Sequence, residues 1–216
     1  MTDTPTDAKR TRRLEVMTAA LLSAAGLFSA WASYQASLWG GQQASHYAVA
    51  SAKVTEASRL SIVDGQLAAV DGLMFKSWLE AAADRDNARM NFFEHRFSPE
   101  LKAVFGPWRA QYPGDLHQYS VAANAPNAFP RPVHKQGVEA RALQRAADAE
   151  LAKGEAANGH SDRYVATTVV LSLVLFLGGI SASLTRQSVR WGMLILAAAI
   201  GVAAAIFILG LPVATL

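Results

Sequence analysis

The sequence contains no cysteine, which excludes disulfide bonds, CxxC redox motifs, iron–sulfur clusters and thiolate zinc sites. It also lacks the GxSxG turn of serine hydrolases and the glycine-rich phosphate loops GxGxxG and GxxxxGK[ST]. Five histidines are present, but no two of them have the i, i+4 spacing of a helical metal pair. The sequence therefore predicts a protein that is not an enzyme and that has no cofactor and no metal site.

Charge is missing from three long stretches of the chain. The first is Val16–Trp39, the second comprises the 22 residues between Arg163 and Arg186, and the third comprises the 26 residues after Arg190. A bilayer core about 30 Å thick is crossed by about 20 apolar residues in a helix. Because lipid offers no hydrogen-bond partners, a spanning segment of this composition must be helical. These stretches predict transmembrane helices at 16–39, 164–185 and 191–214.

The net charge of +3 lies next to these apolar stretches. Between Gly40 and Arg163, the 14 basic residues are balanced by 14 acidic ones. The excess positive charge is found in Met1–Glu15 and in the short link between the second and third stretches. A nucleic-acid-binding protein would carry a basic face on its water-exposed part. The expected partners are therefore membrane lipids and membrane proteins, and no nucleic acid.

The basic residues also predict the topology, since positive charge beside a span marks the cytoplasmic side. Six residues carry this signal: Lys9, Arg10, Arg12, Arg13, Arg186 and Arg190. They place the tail 1–15 and the turn 186–190 in the cytoplasm, and 40–161 outside it, in a bacterial inner membrane. The first span has an alternative interpretation as a signal peptide, with a cleavage site such as Ala30–Ala32. The anchor is favoured because the apolar stretch continues to Trp39, which is long enough to span.

The middle of the chain, 40–161, is predicted to be a helical domain. Apolar residues from Val63 to Trp78 recur every three or four positions, which is typical of one helix face. A break is expected at 84–87, and Ser98-Pro99-Glu100 is a helix-start signature. Prolines predict a loop at 112–136, and an alanine-rich helix follows it into the second span. The predicted fold class is all-α, with three transmembrane helices and an extracytoplasmic antiparallel helical bundle on long stalk helices.

Three groups in this domain have both a functional and a purely structural interpretation. Asp64 and Asp71, seven residues apart, form either a cation site or a solvated helix flank. Asp115, His117 and His134 form either a metal site or solvated loop residues. Six aromatic residues line either a ligand pocket or a hydrophobic core: Trp78, Phe92, Phe93, Phe97, Phe105 and Trp108. The structural interpretation is favoured in each case, since no convergent set of polar ligands is visible in the sequence.

Small residues recur every fourth position on one face of each predicted span. The candidates for close helix packing or oligomerisation are Ser29, Ser33 and Ser37 in the first span, Gly179 and Ser183 in the second, and Ala197, Gly201 and Ala205 in the third. Small residues allow helix backbones to approach closely in lipid. The spacing is equally compatible with packing within one chain and with packing between several chains.

Two segments resemble a recurring arrangement in uncharacterised bacterial membrane proteins. They are WASYQASLWGGQQASHYAVASAKVTEASR after the first span and SDRYVATTVVLSLVLFLGGISASLTRQSVRW at the hairpin. The chain is similar to families described only as domains of unknown function, which have one N-terminal span, a helical middle and a C-terminal hairpin. The resemblance covers both ends and is less diagnostic between Asn87 and Gln136. It implies the architecture and brings no catalytic or binding residue.

These observations favour a structural or partner-binding subunit of a membrane assembly, which forms oligomers. The first alternative is an extracytoplasmic ligand-binding sensor that signals through a partner, because the cytoplasmic parts are short. A small channel is the third interpretation. No Asp, Glu, Lys, Arg or His lies inside the predicted spans, which argues against a proton-coupled carrier.

Overall fold

The computed structural model describes residues 5–111, 130–184 and 186–215, with side chains from Arg12 onward. These residues form five helices and no strand. The helices are α1 (Pro5–Ala83), α2 (Asn87–Arg96), α3 (Pro99–Ala110), α4 (Lys135–Ser183) and α5 (Gln187–Leu209). The predicted all-helical class is therefore confirmed for the described part of the chain.

Three of these helices, α1, α4 and α5, are long and apolar enough to cross a membrane. The first stretch without charge lies within α1 and most of the second lies within α4, so three apolar helices agree with the prediction. The third stretch is helical only to Leu209, so the predicted span 191–214 extends too far at its end. With 79 and 49 residues, α1 and α4 are much longer than a single span requires. Helix α1 continues without interruption through Gly40 and Gly41. Each long helix therefore combines an apolar segment with a polar one.

The short helices begin where the sequence predicts a break and a helix start. Helix α1 ends at Ala83, and the turn after it contains Arg85 with a positive φ of 56°. The side chain of Asp86 accepts a hydrogen bond from the backbone N–H of Arg89 and caps α2. Ser98 caps α3 in the same way, accepting from Leu101 N at 3.0 Å. Both caps satisfy N–H groups that have no partner inside the helix.

The predicted loop 112–136 lies mostly outside the described residues. Of its described residues, 130–134 have no regular secondary structure, whereas Lys135 and Gln136 already belong to α4, so the predicted loop ends two residues too late. Asp115 and His117, two members of the possible metal site, also lie outside the described residues. His134 is the only member of that group whose surroundings can be described.

The chain divides into two compact units. Unit 1 comprises Met1–Ala48 and Glu150–Leu216, and unit 2 comprises Val49–Ala149. The core of unit 1 is built from small and aliphatic residues of α1, α4 and α5, with one tyrosine: Ala25, Ala32, Ala36, Tyr164, Leu171, Val174, Ala197, Ala204, Ile208 and Leu211. Such small side chains allow helix backbones to approach closely.

Residues after α5 are held in unit 1 by polar side chains of the other two helices. Gln35 is buried, and its Oε1 accepts a hydrogen bond from the backbone N–H of Ala214 at 2.8 Å. Trp39 and Tyr164 both donate to the carbonyl oxygen of Pro212, at 3.1 and 3.2 Å. This segment has left the helix, so its backbone groups need such partners in an apolar environment.

The core of unit 2 is aromatic. It consists of Phe75, Trp78 and Ala82 of α1, Phe97, and Leu101, Phe105 and Trp108 of α3. Trp78 is 1% exposed, and its ring lies edge-on to Phe105 at 4.8 Å. Edge-to-face pairs of this kind add to the gain from burial. Of the six aromatic residues weighed as a pocket or a core, all but Phe92 belong to this core or pack against it. Phe92 is exposed and packs under the guanidinium of Arg96.

Candidate functional site

A buried polar cluster lies in unit 2, next to the aromatic core. We call it the His134 cluster and define it as Asp64, Asp71, Ser98 and His134. Asp64 and Asp71 lie on α1 seven residues apart, which places them on one face two turns apart, separated by about 10 Å along the axis. Two carboxylates at this distance cannot share a hydrogen, so another element must supply a group that fits between them.

His134 supplies that group from the residue before α4. Its Nδ1 lies 3.0 Å from Asp64 Oδ1, and its Nε2 lies 3.0 Å from Asp71 Oδ2. The two ring nitrogens point in different directions, so one imidazole bridges the two turns of α1. His134 is 4% exposed and Asp71 3% exposed. The bridge is therefore shielded from water at its Asp71 end, while Asp64 is partly solvated.

Ser98 joins the start of α3 to the same cluster. Its hydroxyl donates to Asp71 Oδ2 at 3.0 Å and accepts from the backbone N–H of Leu101 at 3.0 Å. One side chain thus caps α3 and supplies a second hydrogen bond to the buried carboxylate. The cluster connects three elements: α1, the start of α3 and the start of α4.

The ring of His134 must carry two hydrogens to make both contacts. An ionised carboxylate only accepts hydrogen bonds, and a neutral imidazole has a single N–H. Burial lowers the pKa of His134, but the hydrogen bonds with Asp71 and Asp64 and the charges of both carboxylates raise it more. The net result is a pKa above the ordinary value of 6.5. The cluster is therefore an imidazolium between two carboxylates, with one excess negative charge.

Gly137 allows the carboxylate of Asp64 to lie against the first turn of α4. A Cβ at this position would lie 2.7 Å from the carboxyl carbon of Asp64, closer than such atoms pack. The backbone carbonyl of His134 accepts from Val138 N and begins the helix. Because the first turn of a helix carries positive partial charge, it stabilises a nearby carboxylate. Asp64 therefore has two favourable contacts, the imidazolium and the helix start.

The cluster contains the residue types of a Ser–His–Asp triad but not its connections. In a triad the serine hydroxyl donates to a histidine nitrogen, which then removes its proton. Here Ser98 donates to Asp71, and both nitrogens of His134 face carboxylates. The arrangement holds elements together and does not form a nucleophile–base pair. Among the described residues, no group of three or more His, Asp or Glu side chains is arranged to hold a metal ion.

The structural role of His134 was not visible in the sequence. The spacing of Asp64 and Asp71 indicated a shared helix face, but their partner is 63 to 70 residues away. The sequence offers one signal, Gly137, because a glycine in the first turn of α4 leaves room for a side chain of another helix. Phe75, which packs on Trp78 and Trp108, was likewise absent from the aromatic residues singled out.

The small residues proposed for helix packing fall into two classes within unit 1. Ala197 is fully buried, and Gly201 and Ala205 are half-buried, with Gly201 facing Val174 and Leu21. Ser33, Ser37, Gly179 and Ser183 are exposed, and Ser29 is half-buried. The third-helix set therefore packs within the chain, and most of the other positions do not.

Of the six basic residues that predict topology, Arg12, Arg13 and Arg186 are exposed and Arg190 is half-buried. The side chains of Lys9 and Arg10 lie outside the described ones. Comparisons of the chain with protein-family models, with curated proteins and with solved structures give no match.

Proposed function

We propose that the chain is a non-enzymatic, partner-binding subunit of a bacterial inner-membrane assembly. The observation that carries the proposal is the exposure of Ser33, Ser37, Gly179 and Ser183 on helices long enough to span a membrane. Small residues at four-residue spacing allow a second helix to approach closely, because association in lipid depends on packing and not on hydrophobic burial. These positions are free for a helix of another chain.

Glycine provides a local comparison that supports this proposal. A Cβ at Gly178 would lie 2.7 Å from Leu22 Cδ2, whereas a Cβ at Gly179 would have no atom within 4 Å. Gly178 therefore serves packing within the chain. Gly179, its neighbour, leaves an open surface that no described residue of the chain covers.

The proposed topology follows the positive-inside rule. The tail 1–15 and the turn 186–190 lie in the cytoplasm, and 40–161 lies outside as the helical domain. The proposed membrane is the inner membrane, in line with the resemblance of both ends to bacterial proteins. The apolar helices lie in the lipid bilayer. The partner is a second copy of the chain or another membrane protein.

Cysteine crosslinking in native membranes tests the partner-binding role. The chain has no cysteine, so Ser33→Cys introduces a single thiol on the exposed face of α1. A disulfide requires the two Cα atoms to lie within about 7 Å. The matched control is Ala32→Cys, because Ala32 is the preceding residue and is fully buried in the chain.

We expect oxidation to convert Ser33→Cys to a covalent dimer, or a reporter crosslinker at this position to capture another membrane protein. Ala32→Cys should remain monomeric in both treatments. A dimer identifies a second copy as the partner, and a product of another mass identifies a different protein. If the cysteine variants of Ser33, Ser37 and Gly179 all remain monomeric after oxidation and no other protein co-purifies, the proposal is overturned.

A further inference from the structure

The His134 cluster connects three elements through one dissociable proton. Asp64 and Asp71 belong to α1, Ser98 begins α3, and His134 directly precedes α4. The contacts of His134 join the start of α4 to α1, and both depend on the ring being doubly protonated. We propose that the His134 cluster is a proton-controlled latch, which holds the start of α4 on α1 and opens when the imidazolium loses its proton.

Loss of the proton changes an attraction into a repulsion. A neutral imidazole keeps one N–H and presents a lone pair at its other nitrogen. In the closed geometry that lone pair faces an ionised carboxylate at 3.0 Å, and at the Asp71 end the site is too buried for water to separate them. The ring can then donate a hydrogen bond to only one of the two carboxylates. The start of α4 must move, or a carboxylate must take up a proton instead.

The surrounding charges hold the proton on the ring. The two carboxylates of α1 are the charged groups that act on His134. From α3 the cluster receives only the hydroxyl of Ser98, and Glu100 follows in the first turn. On α4, Lys135 and Glu139 are exposed, and Glu139 acts on Arg59. Asp71 also accepts the hydrogen bond from Ser98 at 3.0 Å.

The direction of the pH response follows from the raised pKa of His134. A group whose pKa is higher in the folded state contributes its full stabilisation below the unfolded value, about 6.5. That contribution is lost as the pH rises through the folded value. The latch is therefore closed below about pH 6.5 and opens as the pH rises through the folded pKa of His134. The inference does not depend on the partner-binding role, because it concerns contacts within unit 2.

The test combines a titration of the ring with a distance measurement on the full chain in detergent micelles. Nuclear magnetic resonance of ¹³C-labelled histidine gives the pKa of each ring, and the signal lost in His134→Gln identifies His134. Ala68→Cys and Ala142→Cys, both at exposed positions on α1 and α4, receive spin labels in the cysteine-free background. Electron paramagnetic resonance then gives the distribution of distances between the two labels from about pH 6 to about pH 10.

We expect the His134 pKa to lie above the ordinary value of 6.5. The control is His95, whose exposed ring bonds to its own helix backbone. The distance distribution should be narrow at low pH and broaden with a midpoint that matches the titration of His134. In His134→Gln the distribution should be independent of pH, while His95→Gln should behave like the natural sequence.

If His134→Gln does not fold, Asp64→Asn tests the latch in its place. Asp64 is partly exposed, so this substitution should leave the chain folded. This substitution removes one charge, so the midpoint of the distance change and the His134 titration should both move to lower pH together. A distance distribution that stays unchanged while His134 titrates would overturn the latch. A His134 pKa at or below the ordinary value of 6.5 would overturn it as well.

Discussion

The two units bury different kinds of side chain. The core of unit 1 is made of alanine and aliphatic residues from three helices, whereas the core of unit 2 contains five aromatic rings from α1, α3 and the residue between α2 and α3. In lipid the helices gain little from hiding apolar surface, so close backbone approach decides the packing. In water the burial of large rings contributes most. The difference is the one expected if unit 1 packs in a bilayer and unit 2 in water.

Buried polar groups follow the same division. In unit 1 they bond to the backbone: Gln35 to Ala214, Ser181 to Gly178 and Thr167 to Arg163. In unit 2 the buried polar groups are the ionisable Asp71 and His134, bonded to each other. A neutral side chain can satisfy a backbone N–H or C=O group without the cost of removing a charge from water. Unit 2 therefore contains an ion pair whose two members are both buried, and pH can change that pair.

The largest expected effect is the loss of an aromatic ring from the core of unit 2. Trp78→Ala removes the most buried ring of the cluster and should lower the free energy of unfolding of unit 2 by about 3–5 kcal/mol. Pulse proteolysis of the full chain in urea measures this. Phe92→Ala is the control, since the Phe92 ring is half exposed. Similar losses for both substitutions would contradict an aromatic core centred on Trp78.

Removing one member of the His134 cluster should cost nearly as much. His134→Leu leaves the carboxylate of Asp71 buried without its charged partner, which destabilises by about 3–5 kcal/mol. The double substitution His134→Leu with Asp71→Leu should recover part of this loss, because no unpaired charge remains. His95→Leu on the exposed face of α2 serves as the control. No recovery in the double variant would show that the single loss has a cause other than the stranded carboxylate.

A smaller effect is expected at Gly137. Replacing glycine by alanine inside a helix normally stabilises it by about 1 kcal/mol, and Gly65→Ala in α1 should do so because no atom lies within 4 Å of its Cβ position. Gly137→Ala places a methyl group against the Asp64 carboxylate and should destabilise unit 2 by about 1 kcal/mol. Thermal unfolding of both variants checks the opposite signs. If both substitutions stabilise the protein, the carboxylate of Asp64 does not lie against the first turn of α4.

In unit 1 the neighbouring glycines of α4 allow a similar test. Gly178→Ala should reduce the stability of unit 1 by roughly 1 kcal/mol, with the methyl group of Leu22 moving aside to limit the loss. Gly179→Ala should leave the stability of the single chain unchanged or slightly higher. Unfolding in mixed micelles compares the two. If Gly179→Ala lowers stability only at high protein concentration, the open surface is a contact between chains.

The smallest expected effect is at the surface pair of Glu56 and Arg59 on α1. The hydrogen bond from Arg59 lowers the pKa of Glu56, and the side chains of Arg59 and Glu56 are 63% and 46% exposed. Exposed pairs of this kind contribute little because water and salt screen them. Glu56→Gln should therefore leave the unfolding temperature unchanged at any salt concentration. A clear loss would show that this face of α1 is covered in the intact protein.

Much of the fold follows from local features of the sequence. The three stretches without charge, the turn after Ala83 and the cap at Ser98 each depend on residues close together in the chain, and all appear in the structure. The contacts between residues far apart in the chain could not be predicted from such local features. The positions singled out on α1 were Ser29, Ser33 and Ser37, whereas the buried ones are Ala25, Ala32 and Ala36. Small residues occur on both faces, so spacing alone does not select the one that packs.

The candidate site could be anticipated only in part. The seven-residue spacing of Asp64 and Asp71 indicates a shared face, and solvation of both was the favoured interpretation. For Asp71 that interpretation is wrong, since it is buried against His134 and Ser98. His134 itself was expected to be solvated and is buried. The reason is that the contact links residues on either side of α2, α3 and the proline-rich segment, and no local pattern encodes that pairing.

The central proposal is that the apolar segments of α1, α4 and α5 span a bilayer and that 40–161 lies outside the cytoplasm. Single cysteines at Ser58 and Ser188, both exposed positions, test it with a membrane-impermeant thiol reagent in intact cells. The account predicts labelling at Ser58 in intact cells and at Ser188 only after the cells are permeabilised. Labelling at Ser188 in intact cells, with Ser58 protected until permeabilisation, would contradict the account and place unit 2 in the cytoplasm.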